Sequence, residues 1–275
     1  MPYDLSDKLV VGVSSTALFD LRKEDRIYTE RGLTAFLEVQ RTREEDALNP
    51  GTAFHLVKKL LSLNSPETKR VEVLLISKNH PDVHFRVFNS IRKYRLGIER
   101  IFLNGGEPLD RYLTSYKLDL FLSSSEADVR KAISLGIPAG QILGPPTEEP
   151  AESSQIRLAF DGDCVLFNDE SQQIADADPS LRQFHENEDL KQRVPLGDGP
   201  FAQLVRTIRD MQGDTPEASP FRVGLVTARS APSHLRTIRT LQEWGLGLIT
   251  RLSWVDYRKN LGSVRFSHTY SLMTN

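Results

Sequence analysis

Cysteine is nearly absent from this chain, because Cys164 is the only one among 275 residues. A single cysteine excludes an intrachain disulfide and a metal centre built on several thiolates. An excess of charge of one sign is also lacking, since 35 basic and 37 acidic side chains leave a formal net charge of −2. Proteins that bind polyanions normally carry a basic surface, so we expect no nucleic-acid partner.

Long apolar runs are missing as well. No apolar stretch approaches the roughly 18 residues that suggest a membrane-spanning helix, and the N-terminus lacks the layout of a signal peptide. We therefore expect a cytoplasmic protein with no membrane partner. The content of 39% hydrophobic and 26% charged residues is ordinary for a globular chain of one large or two smaller domains. Cys164 lies in an apolar run and is expected to be a small core residue.

Short apolar runs alternate with segments of helical spacing along the chain. This alternation predicts an α/β fold with parallel sheets and helices on both faces. A proline-rich stretch at 144–150 predicts a linker, so we expect two domains, at 1–146 and 154–275, with a new strand starting at Ile156. The elements predicted in the first half are the strands Leu9–Val13, Val71–Ile76, Arg100–Leu103 and Asp119–Leu122 and the helices Ala53–Leu63 and Val83–Tyr94.

The second half of the chain repeats the first at a nearly fixed offset of 148 to 150 residues. Four matches in register indicate a duplicated unit of domain size, although any two α/β halves share apolar strands and glycine turns. The matching pairs are Val13–Asp20 with Asp161–Asn168, Leu48–Gly51 with Leu196–Gly199, Val73–Ser77 with Val223–Thr227, and Tyr94–Gly97 with Trp244–Gly247.

The two halves differ at the end of their first strand. An apolar run in the second half leads into Asp161 and Asp163, which are separated by one glycine, where the first half has Val13 and Ser15. Two carboxylates at the tip of a buried strand cost free energy unless they are paired or coordinated. Because a valine cannot act as a carboxylate nucleophile, we predict that the first half is chemically silent and the second is the working copy.

Asp161 and Asp163 are expected beyond the carboxyl end of a parallel strand, where open α/β sheets bind ligands. One carboxylate there can attack phosphorus to form an aspartyl-phosphate, and the other can protonate the leaving oxygen and then deprotonate water. Mg²⁺ would screen the repulsion between Asp161 and an anionic phosphate, and Gly162 lets the backbone approach the phosphoryl group. A lone DxD motif also occurs in ordinary turns, but the flanking apolar runs favour the catalytic interpretation.

The strand predicted at Phe221–Thr227 supplies further candidates. Thr227 can hydrogen-bond a phosphoryl oxygen, the start of the following helix offers backbone N–H groups to an anion, and Arg229 can pair with phosphate or with a carboxylate. The candidate phosphate-binding residues are therefore Gly162, Thr227, Ala228 and Arg229. The alternatives are a helix cap for Thr227 and a solvated surface position for Arg229.

Residues 170–220 are predicted to form an insertion that lies over the site and contacts the substrate, because they directly follow the first strand of the second half. Asn168, Asp169 and Glu170 could line its mouth, with helix capping and solvation as the alternative for each. His185 falls in a polar stretch of this segment and is expected to be exposed.

These features together resemble a known group of enzymes. The acidic strand end, the insertion and the Val226–Ser230 strand end are similar to the haloacid dehalogenase superfamily, whose fold is Rossmann-like. The segments AFDGDCVLFNDES and LVTARSA resemble the cytosolic 5′-nucleotidase I family, including its bacterial members, and the likeness covers about residues 5–248. The resemblance implies Mg²⁺-dependent hydrolysis of nucleoside 5′-monophosphates to nucleoside and phosphate.

The resemblance also implies separate roles for individual residues. Asp161 would be the nucleophile and a metal ligand, Asp163 the acid/base with its backbone carbonyl on the metal, and Thr227 a phosphoryl ligand. The implied cofactor is Mg²⁺ and the implied partner is a small-molecule nucleoside monophosphate, while a homo-oligomer, the preferred base and regulation by nucleotides are left open. Two alternatives remain: a phosphatase of the same superfamily for another small phosphate ester, and a catalytically impaired nucleotide-binding protein.

The C-terminal tail, residues 249–275, departs from the family pattern. The family continues after Trp244 with a phosphate-binding lysine and then with paired aspartates for Mg²⁺, whereas Asp256 is the only carboxylate side chain here. The internal repeat also predicts a matching segment near 252–256, where the sequence differs, and a strand at about 268–272, where the chain stops. We therefore interpret the tail as foreign and hypothesise a frameshift or truncation in the source gene. Whether Lys259 or Asp256 replaces the missing residues is open.

Overall fold

A computed structural model of the chain describes residues 4–144, 155–213, 215, 218–227, 229 and 232–246, and the backbone of 251–254 and 270–272. The chain divides into two compact units, residues 1–152 and 153–275, called unit 1 and unit 2 below. Each unit contains a parallel sheet with associated helices, which confirms the predicted α/β fold class. None of the helices within the described ranges combines the length and apolarity needed to traverse a bilayer.

Unit 1 is built on a five-stranded, wholly parallel sheet. Its elements in chain order are β1 (Leu9–Val13), α1 (Ser15–Leu18), β2 (Phe19–Asp20), α2 (Arg22–Thr42), β3 (Asn49–Pro50), α3 (Phe54–Leu61), β4 (Val71–Ser77), α4 (His84–Lys93), β5 (Arg100–Leu103), α5 (Asp110–Ser115), β6 (Leu120–Ser123), α6 (Glu126–Ser134) and β7 (Ala139–Gln141). The strand order is β5–β4–β1–β6–β7. Every residue of β1 and β4 is buried, as expected for central strands covered on both faces.

The predicted bounds of these elements are close to the observed ones, and β1 and β5 agree at both ends. Strand β6 begins one residue later than predicted. Asp119 lies outside the strand because its carboxylate accepts a hydrogen bond from the Val10 N–H at 2.8 Å. Helix α4 also begins one residue late, since Pro81–Val83 form a separate 3₁₀ turn.

Unit 2 carries a four-stranded parallel sheet of the same order. Its elements are β8 (Ile156–Asp161), α7 (Glu170–Ala177), α8 (Arg182–Leu190), α9 (Ala202–Asp210), β9 (Phe221–Thr227), α10 (His234–Glu243), β10 (Arg251–Trp254) and β11 (Tyr270–Leu272). The order β10–β9–β8–β11 matches β5–β4–β1–β6 of unit 1. Strands β10 and β11 lie close to the positions that the repeat predicts, so the strand order of unit 1 is continued beyond residue 249.

The same tight turn occurs in both units, 148 residues apart. The Gly51 N–H donates to the Leu18 carbonyl oxygen at 2.8 Å, and the Gly199 N–H donates to the Leu166 carbonyl oxygen at 2.9 Å. A Cβ atom at either glycine would lie 2.5–2.6 Å from a backbone carbonyl oxygen. Both turns therefore require glycine, which explains why the repeat keeps it.

Further contacts also recur at corresponding positions of the two units. These contacts include backbone bridges, hydrogen bonds to buried hydroxyl groups and ring contacts. The two units are therefore similar in packing as well as in sequence. The recurring pairs are the antiparallel bridges Phe19–Pro50 and Phe167–Asp198, the hydrogen bonds from the Leu48 N–H to Ser90 Oγ and from the Leu196 N–H to Thr240 Oγ1, and the ring contacts Phe19–Tyr94 and Phe167–Trp244.

Within its described residues, the segment predicted as an insertion, 170–220, contains the helices α7, α8 and α9. Helix α9 follows the Gly199 turn as α3 follows the Gly51 turn, and is therefore part of the repeat. Only the part of the segment before Leu196 therefore lacks a counterpart in unit 1 at the repeat offset of 148 residues. Unit 1 carries α2 at the corresponding place, which consists of two helical segments joined at Gly32, whose backbone is not helical.

Candidate active site

The carboxyl ends of β8 and β9 bring three predicted site residues together. Asp161, the last residue of β8, is in register with Val226 of β9, so it lies beside the strand end that carries Thr227. A Cβ atom built on Gly162 would lie 3.4 Å from Thr227 Cβ. The adjacency expected from parallel-strand topology is therefore present.

The Asp161 carboxyl group lies in an environment that disfavours its charge. Burial raises its pKa, the negative charge of Asp163 raises it further, and a hydrogen bond from the Gly162 N–H works in the opposite direction. No ion pair to Asp161 occurs among the residues that the structure describes. A carboxylate in this setting gains from a cation placed against it.

Asp163 is held by Arg229, whose side chain is 2% exposed while that of Asp163 is 21% exposed. Arg229 Nε donates to Oδ1 and Oδ2 of Asp163 at 3.0 and 3.1 Å, and Nη2 donates to Oδ1 at 2.5 Å. Burial alone would lower the pKa of Arg229, but hydrogen bonds and charges from Asp163 and Glu188 raise it overall. The surface position considered for Arg229 is therefore wrong, and its observed partner is a carboxylate.

Glu188 on α8 is the site-associated residue that sequence reasoning missed. Its side chain is fully buried, and its Oε2 accepts a hydrogen bond from Arg229 Nη1 at 2.5 Å. The Phe184 ring, one turn earlier on α8, lies 5.5 Å from Arg229 Cζ, within cation–π range. No sequence signal marks Glu188, because it stands in a mostly polar helix like any solvated glutamate.

Thr227 is 3% exposed, and its Oγ1 accepts a hydrogen bond from the Arg229 N–H at 3.2 Å. It does not cap a helix, since α10 begins at His234 with Ser233 at its N-cap. The capping alternative for Thr227 is therefore wrong. Ala228, the fourth candidate phosphate-binding residue, lies outside the described residues.

Cys164 differs from its prediction. It is exposed rather than buried, and its run Cys164–Phe167 is not a strand, because Gly162–Leu166 form a π-helical turn. The Cys164 backbone has φ of 62°, a left-handed conformation uncommon for residues other than glycine. Strained residues of this kind cluster at functional sites, and this one directly follows Asp163.

Two of the three residues expected at the mouth of the site bond to near neighbours in the sequence, and the third forms longer-range ion pairs. Asn168 Oδ1 accepts from the Glu170 N–H at 3.4 Å, and Asp169 accepts from Gln173 at 2.8 Å. Glu170 forms ion pairs with Lys191 and Arg236. Asp169 is the N-cap residue of α7 but makes no side-chain capping hydrogen bond. His185 is partly buried rather than exposed, and its Nδ1 lies 2.9 Å from Ser233 Oγ.

A divalent cation fits this strand end in part. Asp161 offers a desolvated carboxylate, and Mg²⁺ commonly takes one or two carboxylates together with substrate phosphate and water. The Asp163 carboxylate is engaged by Arg229, which leaves its backbone carbonyl as the available ligand. The described residues contain no group of three or more histidine, cysteine or acidic side chains arranged to hold a metal. Asp256 and Lys259 lie outside them.

Fold and site together define an α/β protein of the Rossmann-like type, with paired aspartates beyond one parallel strand and a buried hydroxyl group beyond the next. Such a strand edge is where proteins of this class bind their ligands. A sequence model of the 5′-nucleotidase family matches residues 1–252. The chain belongs to this family, as the sequence resemblance predicted.

Human cytosolic 5′-nucleotidase 1B is 33% identical over 251 residues, which cover 86% of this chain and 41% of that protein. The chain thus spans less than half the length of this curated relative. Among solved structures, histidinol dehydrogenase from Elizabethkingia anophelis aligns with 75% of this chain and 42% of its own, at 10% identity and a TM-score of 0.18. A likeness this low carries no weight for fold or function.

Proposed function

We propose that this chain is a Mg²⁺-dependent 5′-nucleotidase of the haloacid dehalogenase type that hydrolyses nucleoside 5′-monophosphates through an aspartyl-phosphate. The observation that carries the proposal is the position of Asp161 beside Thr227 at one sheet edge, with Asp163 two residues further on. Family membership supports the substrate class. The name of the human relative supports a cytoplasmic location.

In the first step, a carboxylate oxygen of Asp161 attacks phosphorus and the bond from phosphorus to the 5′ oxygen breaks. Asp163 gives its proton to that oxygen, so the nucleoside leaves neutral. In the second step, Asp163 takes a proton from water, whose oxygen attacks phosphorus. The bond from phosphorus to Asp161 breaks, phosphate leaves, and the Asp161 carboxylate is restored.

Other residues of the strand ends bind the transferred group. The Thr227 hydroxyl and the backbone N–H groups around Gly162 and Ala228 would donate to phosphoryl oxygens, where charge builds up in the transition state. The Asp161 carboxylate and the Asp163 backbone carbonyl would hold Mg²⁺. That ion supplies positive charge against the phosphoryl oxygens and offsets the repulsion between them and Asp161. Proteins of the 5′-nucleotidase family are generally metal-dependent, which supports this cofactor class.

Phosphate release from AMP and IMP, measured with Mg²⁺ and with EDTA, tests the proposal. We expect release only with Mg²⁺, and a loss of about 10³-fold or more in kcat for Asp161→Asn, because the nucleophile is removed. Sugar phosphates serve as the comparison substrates. Release from them but not from AMP or IMP would replace the nucleotide substrate with another small phosphate ester. Equal activity of Asp161→Asn and wild type would overturn the mechanism.

A nucleotide-binding protein without turnover is the second candidate function. It is favoured by the tail sequence, which lacks paired acids after Trp244, and by the end of the family match at residue 252. Calorimetric titration with AMP separates the two candidates. Binding without Mg²⁺-dependent phosphate release would support this second function and contradict the first.

A further inference from the structure

A buried arginine–glutamate pair occurs in both units at a corresponding place, and comparing the two pairs distinguishes a structural contact from a functional one. In unit 1, Arg86 Nη1 donates to Glu24 Oε1 at 2.8 Å. In unit 2, Arg236 Nη1 donates to Glu188 Oε1 at 3.0 Å. All four side chains are at most 7% exposed. A pair that occurs with and without the aspartates serves the common framework.

The two arginines also make the same backbone contact. Arg86 Nε donates to the Asp46 carbonyl oxygen at 3.0 Å, and Arg236 Nε donates to the Val194 carbonyl oxygen at 2.8 Å. Asp46 and Val194 are 148 residues apart, which is the offset of the repeat. The arginine–glutamate pair therefore fastens the chain just before the glycine turn in both units.

Glu188 has a second arginine that Glu24 lacks within the described part of unit 1. Glu188 Oε2 accepts from Arg229 Nη1, while its Oε1 accepts from Arg236 Nη1 and from Ser171 Oγ. The residue that corresponds to Arg229 in unit 1 is Asn79, which donates instead to Ser15 Oγ at 2.8 Å. The second arginine thus occurs in the unit that carries the aspartates.

Arg229 is fixed on several sides before it reaches Asp163. Glu188 holds its Nη1, Phe184 lies against the guanidinium, and the Arg229 N–H bonds Thr227 Oγ1. Its remaining donors are directed at Asp163, where Oδ1 receives two N–H groups and Oδ2 receives only the longer Nε contact. Oδ2 is therefore the less engaged of the two carboxylate oxygens.

We propose that Glu188 and Arg229 are positioning residues that orient the Asp163 carboxylate, so that Oδ2 faces the reacting group while Oδ1 stays bound to Arg229. This proposal rests on the proposed function and adds to it two residues that do not touch the substrate. Arg229 then serves Asp163 rather than phosphate. Orientation of this kind matters because small displacements of a catalytic group lower the rate steeply.

The test compares Arg229→Gln, Arg229→Lys and Glu188→Gln with wild type, using AMP hydrolysis and thermal unfolding. We expect Arg229→Gln and Glu188→Gln to lower kcat by about 10- to 100-fold with KM changed by less than about threefold. Arg229→Lys keeps the charge but cannot form the forked contact, so its kcat should lie between those of wild type and Arg229→Gln. A rise in KM of tenfold or more at unchanged kcat would overturn the proposal and make Arg229 a phosphate ligand.

Glu24→Gln is the matched control, since it weakens the corresponding pair in unit 1. It should lower the unfolding temperature and leave kcat unchanged. If Glu24→Gln lowers kcat as much as Glu188→Gln does, the effect is one of general stability and the proposal fails.

A double-mutant cycle tests whether Arg229 acts through Asp163. Adding Arg229→Gln to Asp163→Asn should reduce kcat by no more than about twofold, because coupled residues are not additive. A full additional loss would show that Arg229 acts independently of Asp163. If wild type itself releases no phosphate, the proposed function fails separately, and the same cycle is read from unfolding temperatures. Absence of coupling there would overturn the Arg229–Asp163 contact.

Discussion

The carboxyl ends of β1 and β8 occupy the same place in two similar sheets but carry different polar groups. In unit 1, Ser15 Oγ lies 2.7 Å from Ser77 Oγ and accepts from Asn79. In unit 2, the corresponding positions are Asp163, Thr227 and Arg229. The hydroxyl at the second strand end accepts a backbone N–H in both units, at 3.4 Å and 3.2 Å.

Under the proposed function, this difference lets a duplicated framework carry chemistry in one copy only. Neutral groups satisfy one another in unit 1, whereas unit 2 has an aspartate held by a buried arginine and a second aspartate whose charge is disfavoured. Burying charges requires partners, and the buried Arg229 of unit 2 has two of them, Asp163 and Glu188. Backbone turns and core contacts could remain the same in both.

The largest expected effect is a loss of kcat from a substitution after β8, with no loss from the matched substitution after β1. Asp163→Asn should lower kcat for AMP by about 10²- to 10⁴-fold, because it removes the group that transfers the proton. Ser15→Ala, the matched change in unit 1, should leave kcat at the wild-type value. Steady-state phosphate release measures both. A comparable loss from Ser15→Ala would contradict the assignment of unit 1 as the silent copy.

Substituting Arg86 and Arg236, the arginines of the two corresponding buried pairs, should reduce the free energy of unfolding by different amounts. Arg86→Met leaves Glu24 buried without its arginine and should reduce the free energy of unfolding by about 3–5 kcal/mol. Arg236→Met should cost less, because Glu188 keeps Arg229. Urea denaturation of both variants, followed by circular dichroism, provides the comparison. The reverse ranking would mean that Arg229 does not compensate the buried charge of Glu188.

The two glycine turns should respond alike. Gly51→Ala and Gly199→Ala each place a Cβ atom 2.5–2.6 Å from a backbone carbonyl oxygen, and overpacking of this kind costs about 1–3 kcal/mol. Because the obstacle is backbone in both units, neither can relax by a side-chain rotation. Chemical denaturation should give similar losses, and free acceptance of alanine at one turn would show that the turns are not equivalent.

The smallest expected effects are on the free energy of unfolding. Substituting glycine at Cys164 and at Thr16, which correspond in the repeat, should change it in opposite directions. Cys164→Gly relieves a left-handed backbone and should raise the free energy of unfolding by up to about 1 kcal/mol. Thr16→Gly, 148 residues earlier, places glycine in α1 and removes a hydroxyl bonded to Ser124 Oγ at 2.6 Å, so it should lower stability by about 1 kcal/mol. Calorimetric unfolding temperatures of the two variants decide this. If both variants shift the unfolding temperature in the same direction, the backbones at Thr16 and Cys164 do not differ as described.

Much of the fold was predictable because periodicity and turn residues are local. Strand β5 was predicted at the bounds that the structure has, and the adjacency of Asp161 to the Thr227 strand end followed from parallel topology. Cys164 was mispredicted because an apolar run resembles a strand, while the actual turn depends on contacts with distant residues. The Leu166 carbonyl in this turn bonds Gly199, more than thirty residues away.

The sequence by itself determined the α/β alternation, the duplication and the location of Asp161 and Asp163, because each depends only on residue type and spacing. Only the tertiary structure decided which partner Arg229 takes and that Glu188 lies behind it. These contacts join residues 66 and 41 positions apart, and their formation depends on helix packing. A buried charge and a solvated one look identical in a sequence, because burial is a property of the folded chain.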